Sequence, residues 1–463
     1  MKHLIAAATL IAGTSVAAKA VELPKTPAGE ALSMYVEGIN AAPDTTKIQA
    51  YIDKYHRTRT AAYLLDIRDL TGDMSVLKIV TSEPDHIVAI LGESTSDDVL
   101  RADYRVDPKD PTKIVKAELA GVDRPDDLAI ARLTQAQALT ALNARVDALA
   151  AADKLMGVML IERDGKVLLD KAWGYGDREK KIALAPTDKF RLGSMNKMFT
   201  AVATLQLVGQ GKLSLDGTVG QYLPRYPNKE IADKVTIRML LTHTGGTGDI
   251  FGDDFDKHRL ALKTLADYVA LYGARAPEFP PGTKSGYSNF GFILLGQIVQ
   301  TVSGEDYYDY VRDHIFVPAG MTDTASLPES IPVPGRVTGY MLKDGKWVPN
   351  TDTLPWRGTS AGGGYSTLAD LRKFAHAMMD ATLLPRDLRD AATRSQTTDD
   401  WYGYGFEVHE KGRAHSYGHT GGAPGMTAEL RVYPQSKTVI IQLSNFDAPL
   451  VVSYYGNRMP LQP

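Results

Sequence analysis

The sequence predicts a two-domain α+β protein: an antiparallel sheet flanked by helices with a helical insertion, preceded by a small α+β domain with a curved sheet. Three observations carry this expectation. Residues 132–463 show strand-like runs near their start and again after Tyr402, with mostly helix and loop between them. Residues 26–126 instead read as two helices followed by four strands. The exit of the first part toward the second is punctuated by Pro and Asp, in Asp107-Pro108, Asp110-Pro111 and Arg124-Pro125-Asp126-Asp127. At 463 residues the chain is long enough for both domains and a substantial core.

Residues 1–20 read as a signal peptide. Lys2 and His3 precede an apolar run from Leu4 to Ala18, shorter than the ~20 residues a bilayer span needs, and Ala18-Lys19-Ala20 fits a small-x-small cleavage site. The expected destination is periplasmic or secreted, without a stable membrane anchor. Helices are expected at Ala28–Ala41 and Thr45–Tyr55, then strands at Val76–Thr81, His86–Leu91, Val99–Val106 and Ile114–Leu119. That order is similar to the cystatin-like, nuclear transport factor 2-like fold. No catalytic constellation falls in this part, so it reads as a packing or dimerisation module, the latter giving a homodimer. In the second domain a helix from about Thr134 to Leu155 leads to strands Gly157–Glu162 and Lys166–Trp173; strands Thr427–Tyr433 and Thr438–Leu443 follow near the end.

Composition narrows the function. The formal net charge of -3 offers no basic excess for nucleic acid, and the absence of cysteine removes disulfides, thiolate nucleophiles and thiol lipidation. No cofactor and no metal site is implied.

Three short motifs carry the chemistry. In Gly193-Ser194-Met195-Asn196-Lys197 a three-residue step on a starting helix puts Ser194 and Lys197 on one face. A serine needs a neighbouring group able to take its proton, and lysine serves once its ammonium is destabilised. A cation in the first turn is disfavoured by about 0.3–1 kcal/mol by the helix dipole, and Met198, Phe199, Val202, Leu205 and Val208 predict a buried helix around it. Next, Tyr287-Ser288-Asn289 closes a Gly- and Pro-marked loop before an apolar helix from Phe290 to about Val302. Beside a lysine, the Tyr287 phenol is expected to titrate below its usual value of about 10 and to shuttle protons; Asn289 is expected to hold the lysine and to bond a substrate amide or carbonyl. Last, His419-Thr420-Gly421-Gly422 precedes the final strands and reads as an edge strand beside the site. A free N–H among its glycines, with that of Ser194, would make a two-donor oxyanion hole.

Together these boxes resemble the penicillin-recognising serine hydrolases, in particular the class C β-lactamase-like branch that also holds esterases and D-amino-acid peptidases. Met239-Leu240-Leu241-Thr242-His243-Thr244-Gly245-Gly246 and Ser360-Ala361-Gly362-Gly363-Gly364-Tyr365-Ser366-Thr367 are similar to further segments of that branch. The resemblance runs from roughly Leu133 to the C-terminus. It implies Ser194 as acylated nucleophile, Lys197 and Tyr287 as proton-transfer partners, Asn289 and the His419-Thr420-Gly421-Gly422 strand as substrate contacts, and the Ser194 and Gly422 amides as the oxyanion hole. Many β-lactamases carry lysine where this chain has His419, so simple esters or D-amino amides and peptides are expected as substrates in preference to penicillins. A penicillin-binding sensor or scaffold with little turnover is the alternative from another class.

Other patterns compete. Gly358-Thr359-Ser360-Ala361-Gly362 matches the G-x-S-x-G elbow but lacks the apolar strand before it and the helix directly after it. His409, His415 and His419 would serve a metallohydrolase, with spacing unlike a zinc helix. His243 reads as a loop histidine, and the loop Asp249–Asp254 as pocket wall.

Overall fold

The computed structural model describes residues 21–463 except 59, 62–63, 65–67, 69–70, 95–96, 123, 344, 399, 411–414, 452–454, 457 and 460–463. The expected signal peptide lies outside the described residues. Two compact units meet in the chain between Arg124 and Pro125, and the Asp107-Pro108 and Asp110-Pro111 pairs expected at the exit sit instead at the turn of a strand hairpin inside the first unit.

In the first unit Thr26 caps α1 (Pro27–Asn40), its hydroxyl accepting from Gly29 N at 3.2 Å, and Pro27 stands in the first turn where no N–H is needed. Ala28, Ala31, Leu32, Tyr35 and Ile39 recur at helical spacing and are buried. After α2 (Thr46–Lys54) the chain forms an antiparallel meander, β1 (Met74–Ser82), β2 (His86–Glu93), β3 (Val99–Asp107) and β4 (Asp110–Val122), in spatial order 1-2-3-4. Two register breaks in β1 and two in β3–β4 bend the sheet. Its alternating residues Ile87, Ala89 and Leu91, with Ala102, Tyr104 and Val106, share one core with the two helices.

In the second unit α3 (Gln135–Ala151) starts with a Thr134–Gln137 capping box and buries only Ala138, Leu142 and Val146, one narrow stripe. It is four residues shorter at its end than expected from the apolar run to Leu155. The hairpin β5 (Gly157–Arg163) and β6 (Lys166–Trp173) leads to α4 (Asn196–Gly209), then through a largely helical stretch containing α5 (Asn289–Ser303) to α6 (Leu368–Met379). Four strands follow: β7 (Glu407–His409), β8 (Ser416–Ala423), β9 (Met426–Tyr433) and β10 (Thr438–Ser444). The six-stranded sheet has the order β7-β8-β9-β10-β5-β6, every pair antiparallel, so the last strand of the chain closes against the first hairpin of the unit.

This closure explains the local sequence. Every residue of β10 and the first six of β5 are buried, because Met159, Ile161 and Ile440 face the α3 side while Val158, Leu160, Ile441 and Leu443 join the core around α4, α5 and α6. A strand covered on both faces reads as a continuous apolar run rather than an alternation. One expectation is corrected: β8 is not an edge strand throughout, since Glu407–His409 pair with Ser416–Gly418. Among the described residues only its second half, from His419 onward, leaves that side of the backbone free of another strand.

Candidate active site

The turn before α4 is shaped by crowding. Gly193 has φ 54°, and a β-carbon on it would stand 2.8 Å from Gly422 N and 3.1 Å from the Gly421 carbonyl carbon. Only glycine lets the two backbones approach this closely. One 3₁₀ turn, Gly193–Met195, then passes into α4, where Asn196 to Leu205 are all buried.

Lys197 is therefore completely buried. Its Nζ lies 3.1 Å from Ser194 Oγ, 2.7 Å from Asn289 Oδ1 and 2.5 Å from the Ala361 carbonyl oxygen. Burial pushes its pKa down to about 7, against the opposing charges of Asp249 and Glu407. A neutral amine has two N–H groups and one lone pair. The Asn289 and Ala361 oxygens take the donors, which leaves the lone pair for the Ser194 hydroxyl.

Tyr287 hydrogen-bonds Ser194, and its ring centroid is 4.7 Å from Lys197 Nζ. Although 39% of its surface is accessible, burial of its phenol raises the pKa well above the ordinary value, the Ser194 hydrogen bond only partly opposing it. The expected lowering by lysine is thus corrected. Desolvation wins, and a lysine that is itself half neutral near pH 7 supplies little positive charge. The loop is pinned by Ser288, which caps α5 through Gly291 N at 2.9 Å and bonds Thr247 and Gly248. Asn289 holds the lysine through Oδ1, while its Nδ2 donates to Asp249 Oδ1 at 2.9 Å. Its amide is therefore engaged on both sides, although the residue lines the cleft.

The third motif departs furthest from expectation. His419 is 1% exposed: Nδ1 lies 2.5 Å from the Thr420 carbonyl oxygen and 3.4 Å from Glu407 Oε1, and Nε2 is 2.8 Å from Tyr402 Oη. Burial lowers its pKa to about 4 despite Glu407. The side chain is a neutral group behind the site, and the expected direct substrate contact is corrected accordingly. Thr420 likewise turns inward, its N and Oγ1 both donating to Glu407 Oε1 at 3.1 and 2.6 Å. That bond has a consequence for Gly422. The amide of Thr420 points off the free side of β8, and with the two-residue period of a strand the Gly422 amide points the same way, toward the Ser194 turn. Gly421 packs its α-carbon against that turn, where a β-carbon would lie 1.9 Å from Leu192 O and 3.2 Å from Ser194 N. The Ser194 N–H, at the start of its helical turn, and the Gly422 N–H thus both belong to the spot where the two backbones meet.

That spot opens into a cleft of about 460 Å³ lined by Ser194, Asn289 and Gly422, with Ile250, Phe251, Phe255, Leu354 and Met426 as its apolar wall. The competing patterns do not assemble. Ser360 is fully buried, no strand leads directly into it, the nearest ending at Pro349, and its carbonyl accepts from Thr200. Among the described residues no cluster of three His, Asp or Glu side chains is placed to hold a metal ion. Sequence reasoning missed the Ala361 carbonyl, Glu407 and Tyr402, and left Asp249 as mere pocket wall. Only the polar Asp249, directly after a glycine-rich turn, offered a signal.

A family model described as Beta-lactamase matches residues 142–458. The putative penicillin-binding protein PbpX of Bacillus subtilis is 30% identical over 308 residues, spanning 65% of this chain and 74% of that one. The crystal structure of a penicillin binding protein from Bacillus halodurans superimposes with TM-score 0.60 at 31% identity, covering 67% of this chain and 97% of that one. A D-stereospecific amidohydrolase from Streptomyces sp. does so with TM-score 0.56 at 26% identity, covering 68% and 95%.

Proposed function

The chain belongs to the beta-lactamase family of serine hydrolases, and on that premise we propose that it is an exported enzyme that cleaves an ester or amide through an acyl-Ser194 intermediate. The carrying observation is the Lys197 amine, fully buried and held by two oxygen acceptors with Ser194 Oγ at 3.1 Å. In acylation Ser194 Oγ attacks the substrate carbonyl carbon and its proton passes to Lys197 Nζ. The carbonyl oxygen, now negative, is met by the Ser194 and Gly422 amides. As the tetrahedral adduct collapses, Tyr287 gives its phenolic proton to the departing oxygen or nitrogen and recovers one from Lys197; its raised pKa suits it to be an acid rather than a standing phenolate. Water then repeats the sequence on the acyl-enzyme, and Ser194 is released.

The substrate reading favours simple esters and D-amino-acid amides or peptides over penicillins. A buried, neutral His419 offers no fixed positive charge for a β-lactam carboxylate, the cleft wall is largely apolar, and a D-stereospecific amidohydrolase is among the similar structures. Intact-mass labelling by a fluorophosphonate tests the nucleophile: wild type gains one adduct and Ser194→Ala none. An adduct on Ser194→Ala would move the nucleophile elsewhere. Nitrocefin hydrolysed much faster than p-nitrophenyl acetate would sink the substrate reading, and an acylation burst without steady turnover would favour the sensor alternative. Export rests on residues 1–20 alone and is tested by the N-terminal sequence of the mature protein, expected after Ala20.

A further inference from the structure

His243 is 1% exposed and holds φ 58°, a left-handed backbone that a residue with a β-carbon adopts reluctantly. What it gains there is a double grip on one loop. Its carbonyl oxygen accepts from Gly286 N at 2.8 Å, and its Nδ1 accepts from Ser288 N at 3.1 Å. Both neighbours of Tyr287 are thus bonded to a single residue. The ring itself lies 4.3 Å from the Tyr287 ring, centroid to centroid, and is backed by Phe292 at 5.1 Å, Tyr402 at 4.6 Å and a nearly parallel Trp401 at 6.1 Å.

The hydrogen bonding defines the chemistry. An Nδ1 that accepts leaves the proton on Nε2, which has no hydrogen-bond partner among the described residues. Burial, with smaller contributions from Lys197 and His419, keeps the imidazole far below its ordinary pKa, so the acceptor stays available. We propose that His243 is the positioning residue for Tyr287: its carbonyl and Nδ1 bind the amides on either side of the tyrosine while its ring abuts the phenol ring, which together fix the hydroxyl on Ser194. The inference rests on the reading of Tyr287 as the proton-transfer partner of Ser194.

Two substitutions separate the ring from the backbone. His243→Gly takes φ 58° without strain and keeps the carbonyl bond to Gly286 but removes the Nδ1 acceptor and the ring. His243→Asn also tolerates the left-handed region and places a carbonyl oxygen close to the lost Nδ1. Steady-state hydrolysis of p-nitrophenyl acetate, fluorophosphonate labelling rates and melting curves are measured on both, on Tyr287→Phe, and on the double variant. Expected is a fall in kcat of about 10²-fold for His243→Gly with little change in KM, recovery of most of it in His243→Asn, and almost no further loss when His243→Gly is added to Tyr287→Phe. A folded His243→Gly with wild-type kcat overturns the proposal, as does a folded His243→Asn no faster than His243→Gly. Tyr287→Phe slow, with the His243→Gly loss adding in full, overturns the link to Tyr287 alone. Tyr287→Phe at wild-type rate overturns the reading of Tyr287 as well.

Discussion

Asn289 Oδ1 lies 2.7 Å from Lys197 Nζ, and the same amide donates from Nδ2 to Asp249. The amide cannot flip without setting an N–H against a lysine N–H, so Asp249 fixes which end of Asn289 faces the lysine. A carboxylate on a loop thereby orients the acceptor that aims the Lys197 lone pair at Ser194.

The acid limb of activity should follow from this. Lys197 works as a base only when neutral, so kcat/KM is expected to rise with pH through about 7. Asp249 raises the lysine pKa by its charge. Asp249→Asn removes that charge while keeping an acceptor for Asn289, and the limb should move to lower pH. Profiles with p-nitrophenyl acetate read it directly; a limb that stays put or moves up would assign it to another group.

Lys197→Arg tests the same group by a change that keeps the positive charge. Guanidinium does not deprotonate in the working range, so acylation should fall by about 10²- to 10⁴-fold. A fluorophosphonate labelling rate close to wild type would remove Lys197 from the role of base.

Gly193→Ala probes the oxyanion hole. The added β-carbon would meet Gly422 N at 2.8 Å from a backbone at φ 54°, so the two backbones must part and the two amides with them. A loss of about 10²- to 10³-fold in kcat is expected, the usual effect of misplacing one oxyanion donor. Circular dichroism should show an intact fold; unchanged kcat in that folded variant would mean that the Gly422 amide does not serve the reaction.

How much of this was legible in the sequence depended on distance along the chain. The Ser194–Lys197 pairing is a property of one helical turn, and the strand runs of β9 and β10 are patterns of a few residues; both could be read locally. The Tyr287 phenol could not. Its pKa depends on how many atoms other segments bring around it, and burial among His243, Trp401 and Ser194 outweighed the lysine the sequence placed nearby. The inward turn of His419 follows from Tyr402 and Glu407, whose proximity is set by strand pairing rather than by spacing. In the same way Asp249 gained its part only when the fold carried it to Asn289.

Phe251 offers a test of the cleft wall. It is 59% exposed, in edge-to-face contact with Phe255 at 5.1 Å, so it has apolar surface left for a ligand to cover. Phe251→Ala should raise KM about tenfold for an aromatic substrate such as a phenylalanine ester or amide, corresponding to about 1.4 kcal/mol of lost apolar burial, and leave p-nitrophenyl acetate kinetics nearly unchanged. Equal effects on both substrates would point to a disturbed site instead of a lost contact.

Glu407 ties the sheet to the site strand, and its protonation should be visible in stability. Burial alone would raise its pKa, but His419 once protonated, the charge of Arg431 and the two bonds from Thr420 bring it down to about 2. A depressed carboxylate stabilises the folded state fully above its unfolded pKa of about 4.5, and that contribution is lost as pH falls toward 2. The depression is worth roughly 3 kcal/mol. Glu407→Gln removes it at every pH and leaves Arg431, 5% exposed, with Glu429 as its carboxylate partner. The variant should therefore melt several degrees below wild type at pH 7, and the gap should narrow below about pH 4.5 because wild type is then losing the same contribution. A gap that is constant from pH 7 to 3.5 would show that the glutamate acts through shape and hydrogen bonding rather than through its charge.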